Sequence, residues 1–127
     1  LLSITADLGR TAVITKDIPP AHINQHLAIL RLRENILVPT VLADFLESPG
    51  GKRQFDSLDR QGVKSGLNFE DIKSLEIPIP NKVLQERYVR LKDNIWSQLE
   101  QTKSEDLFNS LLQKAFKGEL TSTPALT

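Results

Sequence analysis

At 127 residues, with 39% hydrophobic and 25% charged side chains, the sequence reads as a soluble globular chain: one small domain, or a small domain with one long element. Sixteen basic and sixteen acidic residues cancel, which argues against a dedicated polyanion binder unless Lys and Arg are concentrated locally. Cysteine is absent, excluding disulfides, thiolate metal sites and cysteine nucleophiles, and no apolar run approaches the roughly 20 residues that span a bilayer. With no secretory or transit signature at the start, a reducing, cytoplasmic setting fits. Methionine is absent too, and the opening Leu1-Leu2-Ser3-Ile4 reads as the middle of a strand, predicting a segment of a longer gene product.

Residues 1–5, 11–15 and 26–33 read as strands, with Ala6-Asp7-Leu8-Gly9-Arg10 as a turn between the first two and Pro19-Pro20 interrupting the next connection. Pro39 suits the first turn of a helix, and Val38, Val41, Leu42, Phe45 and Leu46 recur at helical spacing. Ser48-Pro49 restarts a helix, with the serine as N-cap, through Phe55 and Leu58 to about Gly62. Asn68 caps a short helical turn reaching Leu75, with Asp71 as its capping-box partner. Glu76-Ile77-Pro78-Ile79-Pro80 is extended, and its prolines confine it to a sheet edge or an exit.

From Lys82 to Lys117 nothing breaks a helix; Asn81 caps its start and Gly118 suits its end. That is about 36 residues, on the order of 54 Å at 1.5 Å per residue. Leu84, Tyr88, Leu91, Ile95 and Leu99 form one stripe, and Leu107, Leu111, Leu112, Ala115 and Phe116 a second, out of a common heptad register and with a break expected near Ser104. Glu86–Arg90 and Glu100–Lys103 stand at pairing distances. So long a stripe predicts a helix that meets another helix; the alternative is a fold back into two antiparallel helices.

Four stretches carry a resemblance: Asp7-Leu8-Gly9-Arg10-Thr11-Ala12-Val13 with Ile23-Asn24-Gln25-His26-Leu27; Val38-Pro39-Thr40-Val41-Leu42 through Ser48-Pro49; Gly66-Leu67-Asn68-Phe69-Glu70-Asp71 through Ile77-Pro78-Ile79-Pro80; and Leu111-Leu112-Gln113-Lys114-Ala115-Phe116-Lys117-Gly118-Glu119-Leu120. Taken in this order they resemble the C-terminal part of the DNA specificity subunits of type I restriction-modification enzymes. The family's Pro-Pro-x-x-Glu-Gln approach to its helix is altered to Pro80-Asn81-Lys82-Val83-Leu84-Gln85-Glu86, read as acid and amide reversed. The resemblance implies part of a target-recognition domain over 1–80, a helical assembly region over 81–120 that forms an antiparallel coiled coil, and a tail over 121–127. It implies a non-catalytic chain that binds double-stranded DNA and positions methylation subunits and, through the complex, motor-nuclease restriction subunits. S-adenosylmethionine, ATP and magnesium belong to those partners, so no cofactor is expected here. The fold expected is α+β, a small sheet with short helices and then the long helix.

Gly9 and Arg10 in a turn offer backbone N–H groups and a guanidinium to phosphate, and Thr5, adjoining that turn, joins the same set; an ordinary turn with a solvated arginine explains them as well. Asn24 and Gln25 supply amides able to pair with adenine, or they fix strand geometry. Lys64 and Ser65 form a polar loop that either crosses the duplex backbone or is a solvated linker; Lys52, Arg53 and Arg60 lie near them in sequence, offset by Asp56 and Asp59. His22 and His26 stand four apart without a helix or an evident third ligand, so no metal is expected. Glu70-Asp71 with Lys73 is better explained by a capped turn than by hydrolytic chemistry. Trp96 reads as helix packing. On the long helix Tyr88, Leu91, Ile95, Leu99, Leu107 and Leu111 are the assembly face, and a homodimer is expected of the chain by itself. The competing class is an oligomerisation or adaptor module whose sheet never touches DNA; convergence of Arg10, Lys52, Arg53 and Lys64 on one face separates the two.

Overall fold

Leu2 is the residue on which the small sheet is built. In a computed structural model of the chain, which describes residues 1–33, 35–61 and 66–116, β1 (Leu2–Ser3) pairs antiparallel with β2 (Leu27–Ala28) in the register Leu2↔Ala28 and Ser3↔Leu27. On its other side Leu2 forms a bridge with Thr11. Ser3 N–H donates to Arg10 O at 2.8 Å, Ala12 N–H to Leu1 O at 3.1 Å and Ile4 N–H to His26 O at 3.0 Å. The first four residues are thus the middle of a three-segment ladder.

The strands expected over 11–15 and 26–33 are shorter than their apolar patterns. Val13, Ile14, Ile29 and Leu30 line an open groove of about 400 Å³ together with Leu42 and Leu46. A ladder needs two sides, and β propensity alone does not make one.

Two helices close the other side of the core. Helix α1 (Pro39–Glu47) starts with Pro39 in its first turn and has no side-chain cap from Val38. Ser48 ends it, its N–H donating to Phe45 O at 3.0 Å, and accepts Lys52 N–H at 2.9 Å as the first carbonyl of α2 (Pro49–Gln61). Leu2, Leu37, Leu42, Leu46, Phe55 and Leu67 form the buried core. Gly9, at φ +83°, lies under the Phe55 ring, and a Cβ there would sit 2.5 Å from a ring carbon, so the turn admits no side chain on either count.

The capping box at α3 (Phe69–Lys73) forms as expected. Asn68 Oδ1 accepts Asp71 N–H at 2.8 Å, and Asp71 Oδ2 accepts Asn68 N–H at 2.9 Å. The extended stretch after it finds a partner in a side chain: the Gln54 amide donates to Glu76 O at 2.9 Å and accepts Glu76 N–H at 2.8 Å, as a strand residue would.

Helix α4 (Lys82–Phe116) begins at an Asn81 cap, with Oδ1 accepting Leu84 N–H at 2.9 Å. It is one continuous helix through Ser104, not two antiparallel ones. Neither Glu86–Arg90 nor Glu100–Lys103 closes to ion-pair distance; Gln101 instead bonds Glu105 at 3.3 Å. The chain divides into a compact unit of Leu1–Val89 and another of Arg90–Thr127, and the division falls inside α4. The reason is Gln85 and Tyr88, which tie the first turns of α4 into the first unit.

Gln85 is only 1% exposed. Its Oε1 accepts Val38 N–H at 2.8 Å, and its Nε2 donates to Ile36 O at 2.8 Å and Pro80 O at 2.7 Å. Every hydrogen-bonding direction that matters for burying an amide is used. Tyr88 O–H donates to Asp44 Oδ2 at 2.7 Å, and that bond holds the phenol pKa above its ordinary value. Among the described residues no helix is long and apolar enough to cross a membrane.

Candidate nucleic-acid interface

Three of the residues singled out for DNA contact come together at one corner of the first unit. Thr5 Oγ1 lies 2.7 Å from His26 Nδ1, across 21 residues of sequence. Asn24 Oδ1 accepts His26 N–H at 3.0 Å, and Asn24 O accepts Leu27 N–H at 3.3 Å, so Asn24 closes the turn that leads into β2. Bidentate pairing with adenine needs both the oxygen and the nitrogen of an amide. Asn24 has committed its oxygen, while Gln25 beside it is exposed.

Lys64 and Ser65 lie outside the described residues. The residues that follow pass the same corner: Leu67 N–H donates to Ile4 O at 2.8 Å, and a Cβ on Gly66 would come within 3.1 Å of the Thr5 methyl. Gly66 sits at φ +151°, where only glycine is comfortable. Ala6, next to Thr5, holds φ +57° although it carries a side chain. That conformation costs roughly 1–2 kcal/mol, and such strain is concentrated at functional sites.

Gly9 and Arg10 occupy the neighbouring turn. The Gly9 N–H donates to Ser3 O at 3.1 Å and is therefore turned into the sheet, leaving the guanidinium as what this turn offers outward. Arg10 Nε stands 3.9 Å from Asp7 Oδ2, both well exposed, a contact worth little in water. Arg10 and Lys52 line one cleft of about 460 Å³, and Asp7, Asp56 and Asp59 line it too. Carboxylates outnumber cations there, and Arg53 is not on its wall. Convergence of the basic residues is partial.

Sequence reasoning missed a second polar link. Thr11 N–H donates to Glu47 Oε1 at 2.8 Å, with the Thr11 hydroxyl 2.9 Å from the same oxygen. These bonds, the backbone one first, hold the Glu47 carboxyl below its ordinary pKa. His26, read from sequence within the Asn24-Gln25-His26 step and as a weak zinc candidate with His22, has its Nδ1 against Thr5 Oγ1; among the described residues no group of three or more His, Asp or Glu side chains is gathered to hold a metal. Its signal in the sequence was its place directly after Asn24-Gln25.

In the second unit Leu91, Ile95, Leu99, Leu107 and Leu111 are exposed, as are Trp96, Phe108 and Leu112, all between 40% and 62%.

The first unit is thus a small α+β body with a polar corner at one end of its sheet. Over 133 aligned positions the chain is 26% identical to the specificity subunit of the type I restriction enzyme EcoBI of Escherichia coli. The alignment takes in 96% of this chain and 27% of that protein, so the chain spans about a quarter of the relative's length and is distantly related to it. No family model matches the chain, and no solved structure matches it.

Proposed function

We propose that the chain is a non-catalytic DNA-specificity component of a type I restriction-modification assembly. The observation that carries this reading is the extent of the match to a specificity subunit, which takes in 96% of the chain. In it, the corner of Thr5, Asn24 and Gln25, with the 64–65 loop, meets double-stranded DNA, and Arg10 meets a phosphate. Residues 1–80 are part of a recognition domain and 81–120 an assembly region. Tyr88, Leu91, Ile95, Leu99, Leu107 and Leu111 receive a second copy as an antiparallel coiled coil. Each large aliphatic covered is worth roughly 1.5–3 kcal/mol, against an association cost of about 4–15 kcal/mol. Methylation subunits, and through them restriction subunits, use the remaining face.

Fluorescence anisotropy of labelled duplexes at low salt tests the DNA reading. The chain alone binds weakly and with little sequence preference, because a net charge of zero releases few counterions. Arg10→Ala weakens all duplexes alike and lowers the salt slope by about one. Failure of every duplex to bind at low salt overturns the reading.

The carboxylates facing Arg10 and Lys52 favour a second reading, a helical adaptor that never touches DNA. Under it no duplex binds while the chain still self-associates through α4.

A further inference from the structure

Resting on that DNA reading, we infer that His26 is itself a DNA-contacting residue: its Nε2–H donates a hydrogen bond to an acceptor on duplex DNA, and Thr5 is the positioning residue that aims it. The ring is exposed at the corner where Asn24, Gln25 and Gly66-Leu67 meet. It is held at three points: Nδ1 against Thr5 Oγ1 at 2.7 Å, the backbone N–H by Asn24 Oδ1 at 3.0 Å, and the backbone carbonyl by Ile4 N–H at 3.0 Å. Surface histidines ordinarily turn freely, and a ring fixed at both its nitrogen and its backbone has lost that freedom before any ligand arrives.

The direction of the Thr5 bond sets the chemistry. Among the described residues the Thr5 hydroxyl has no other acceptor. The proposed donor is the tautomer in which the Thr5 hydroxyl donates to Nδ1 and the ring carries its own proton on Nε2. No described residue accepts from Nε2. A single fixed N–H donor fits a phosphate oxygen, or the acceptors that guanine and thymine show in the major groove. The left-handed Ala6 fits the same purpose, since it is the bend that presents Thr5 to the ring.

The test uses the full 127-residue chain, labelled duplexes at low salt, and the ring nitrogen signals of both histidines by NMR. Without DNA, the His26 ring reports protonation at Nε2. On adding duplex, the His26 signals move and those of His22 do not. His26→Ala weakens binding about tenfold, the loss expected for one hydrogen bond to a charged or well-aligned acceptor. His22→Ala leaves it unchanged. Gln at position 26 restores most of the affinity because its amide nitrogen is a donor of similar reach, and Thr5→Val, which keeps the shape and removes the hydroxyl, costs about threefold. A loss equal across duplexes with a shallower salt dependence identifies a phosphate acceptor, and one that varies with sequence identifies a base edge. Wild-type affinity in His26→Ala, or unmoved His26 signals on a duplex that binds, overturns the inference and leaves the DNA reading standing. A wild-type chain that binds no duplex removes both.

Discussion

Leu42 and Leu46 on α1 stand four residues apart and Leu91 and Leu99 on α4 eight, the same side chain on one helical stripe in each case, and their surroundings differ completely. The first pair is buried with Leu2, Phe55 and Leu67, and among the described residues every buried side-chain polar atom has a hydrogen-bond partner. The second pair is about half exposed, together with every other large apolar side chain described beyond Val89. Apolar periodicity announces a helix in both places and says nothing about what covers it. A helix in water is stabilised chiefly by packing of its apolar face. The first unit supplies its own cover, whereas the described part of the second leaves its large apolar side chains about half exposed.

That contrast breaks most visibly on α4. Ile95→Asp with Leu99→Asp removes two anchors, roughly 3–6 kcal/mol of burial per copy. Sedimentation equilibrium is expected to show wild-type dimers and a monomeric variant with the first unit's thermal transition unchanged. A wild type that stays monomeric at high micromolar concentration ends the proposal of a second copy on this face. Leu46→Ala is the converse experiment: a cavity in the first unit costs about 2–5 kcal/mol in urea titrations while dimerisation is retained.

Gln85→Leu probes the seam between the two behaviours. It leaves the Val38 N–H and the Ile36 and Pro80 carbonyls, all in part-buried bonds, without their partner, and each costs at most about 1–3 kcal/mol. Hydrogen exchange should speed up together at the start of α1 and in the first turns of α4. Independent changes at the two places mean that Gln85 is not the link.

The smallest effect is on pH. The Glu47 pKa is depressed in the fold by Thr11, so its contribution is present above the ordinary carboxylate range and is lost as pH falls through the folded value. Wild type therefore loses more stability than Glu47→Gln between about pH 5 and pH 3 in thermal melts. Parallel acid profiles would show that the Thr11 bonds contribute nothing.

What the sequence made legible was local. Pro39 in the first turn, Ser48 between α1 and α2, the Asn68–Asp71 box and the Asn81 cap each rest on residues within four positions of one another, and each forms. The distant relation carried by the motifs was legible too, and it reappears in the match to the EcoBI subunit. What stayed hidden joins distant positions: Thr5 with His26, Thr11 with Glu47, Val38 with Gln85. No spacing rule marks such pairs. Strand length failed as well: residues 13–15 and 29–33 have strand composition, and among the described residues no strand pairs with them. At Gln85 the altered motif marks an exchange of acid and amide, but the burial of that amide depends on Ile36 and Val38, nearly 50 positions away.

The Gln85 contacts also set how the chain tolerates substitution. All three go to backbone atoms, of Ile36, Val38 and Pro80. Exchange of Ile36 or Val38 for another apolar residue therefore leaves every one of these bonds in place. Position 85 has no such latitude: Leu has no donor, Glu loses the donors for two carbonyls, and Asn is one methylene too short to reach both sides. A saturation library across 36, 38 and 85, sorted on folded protein, should return many residues at the first two positions and glutamine at the third.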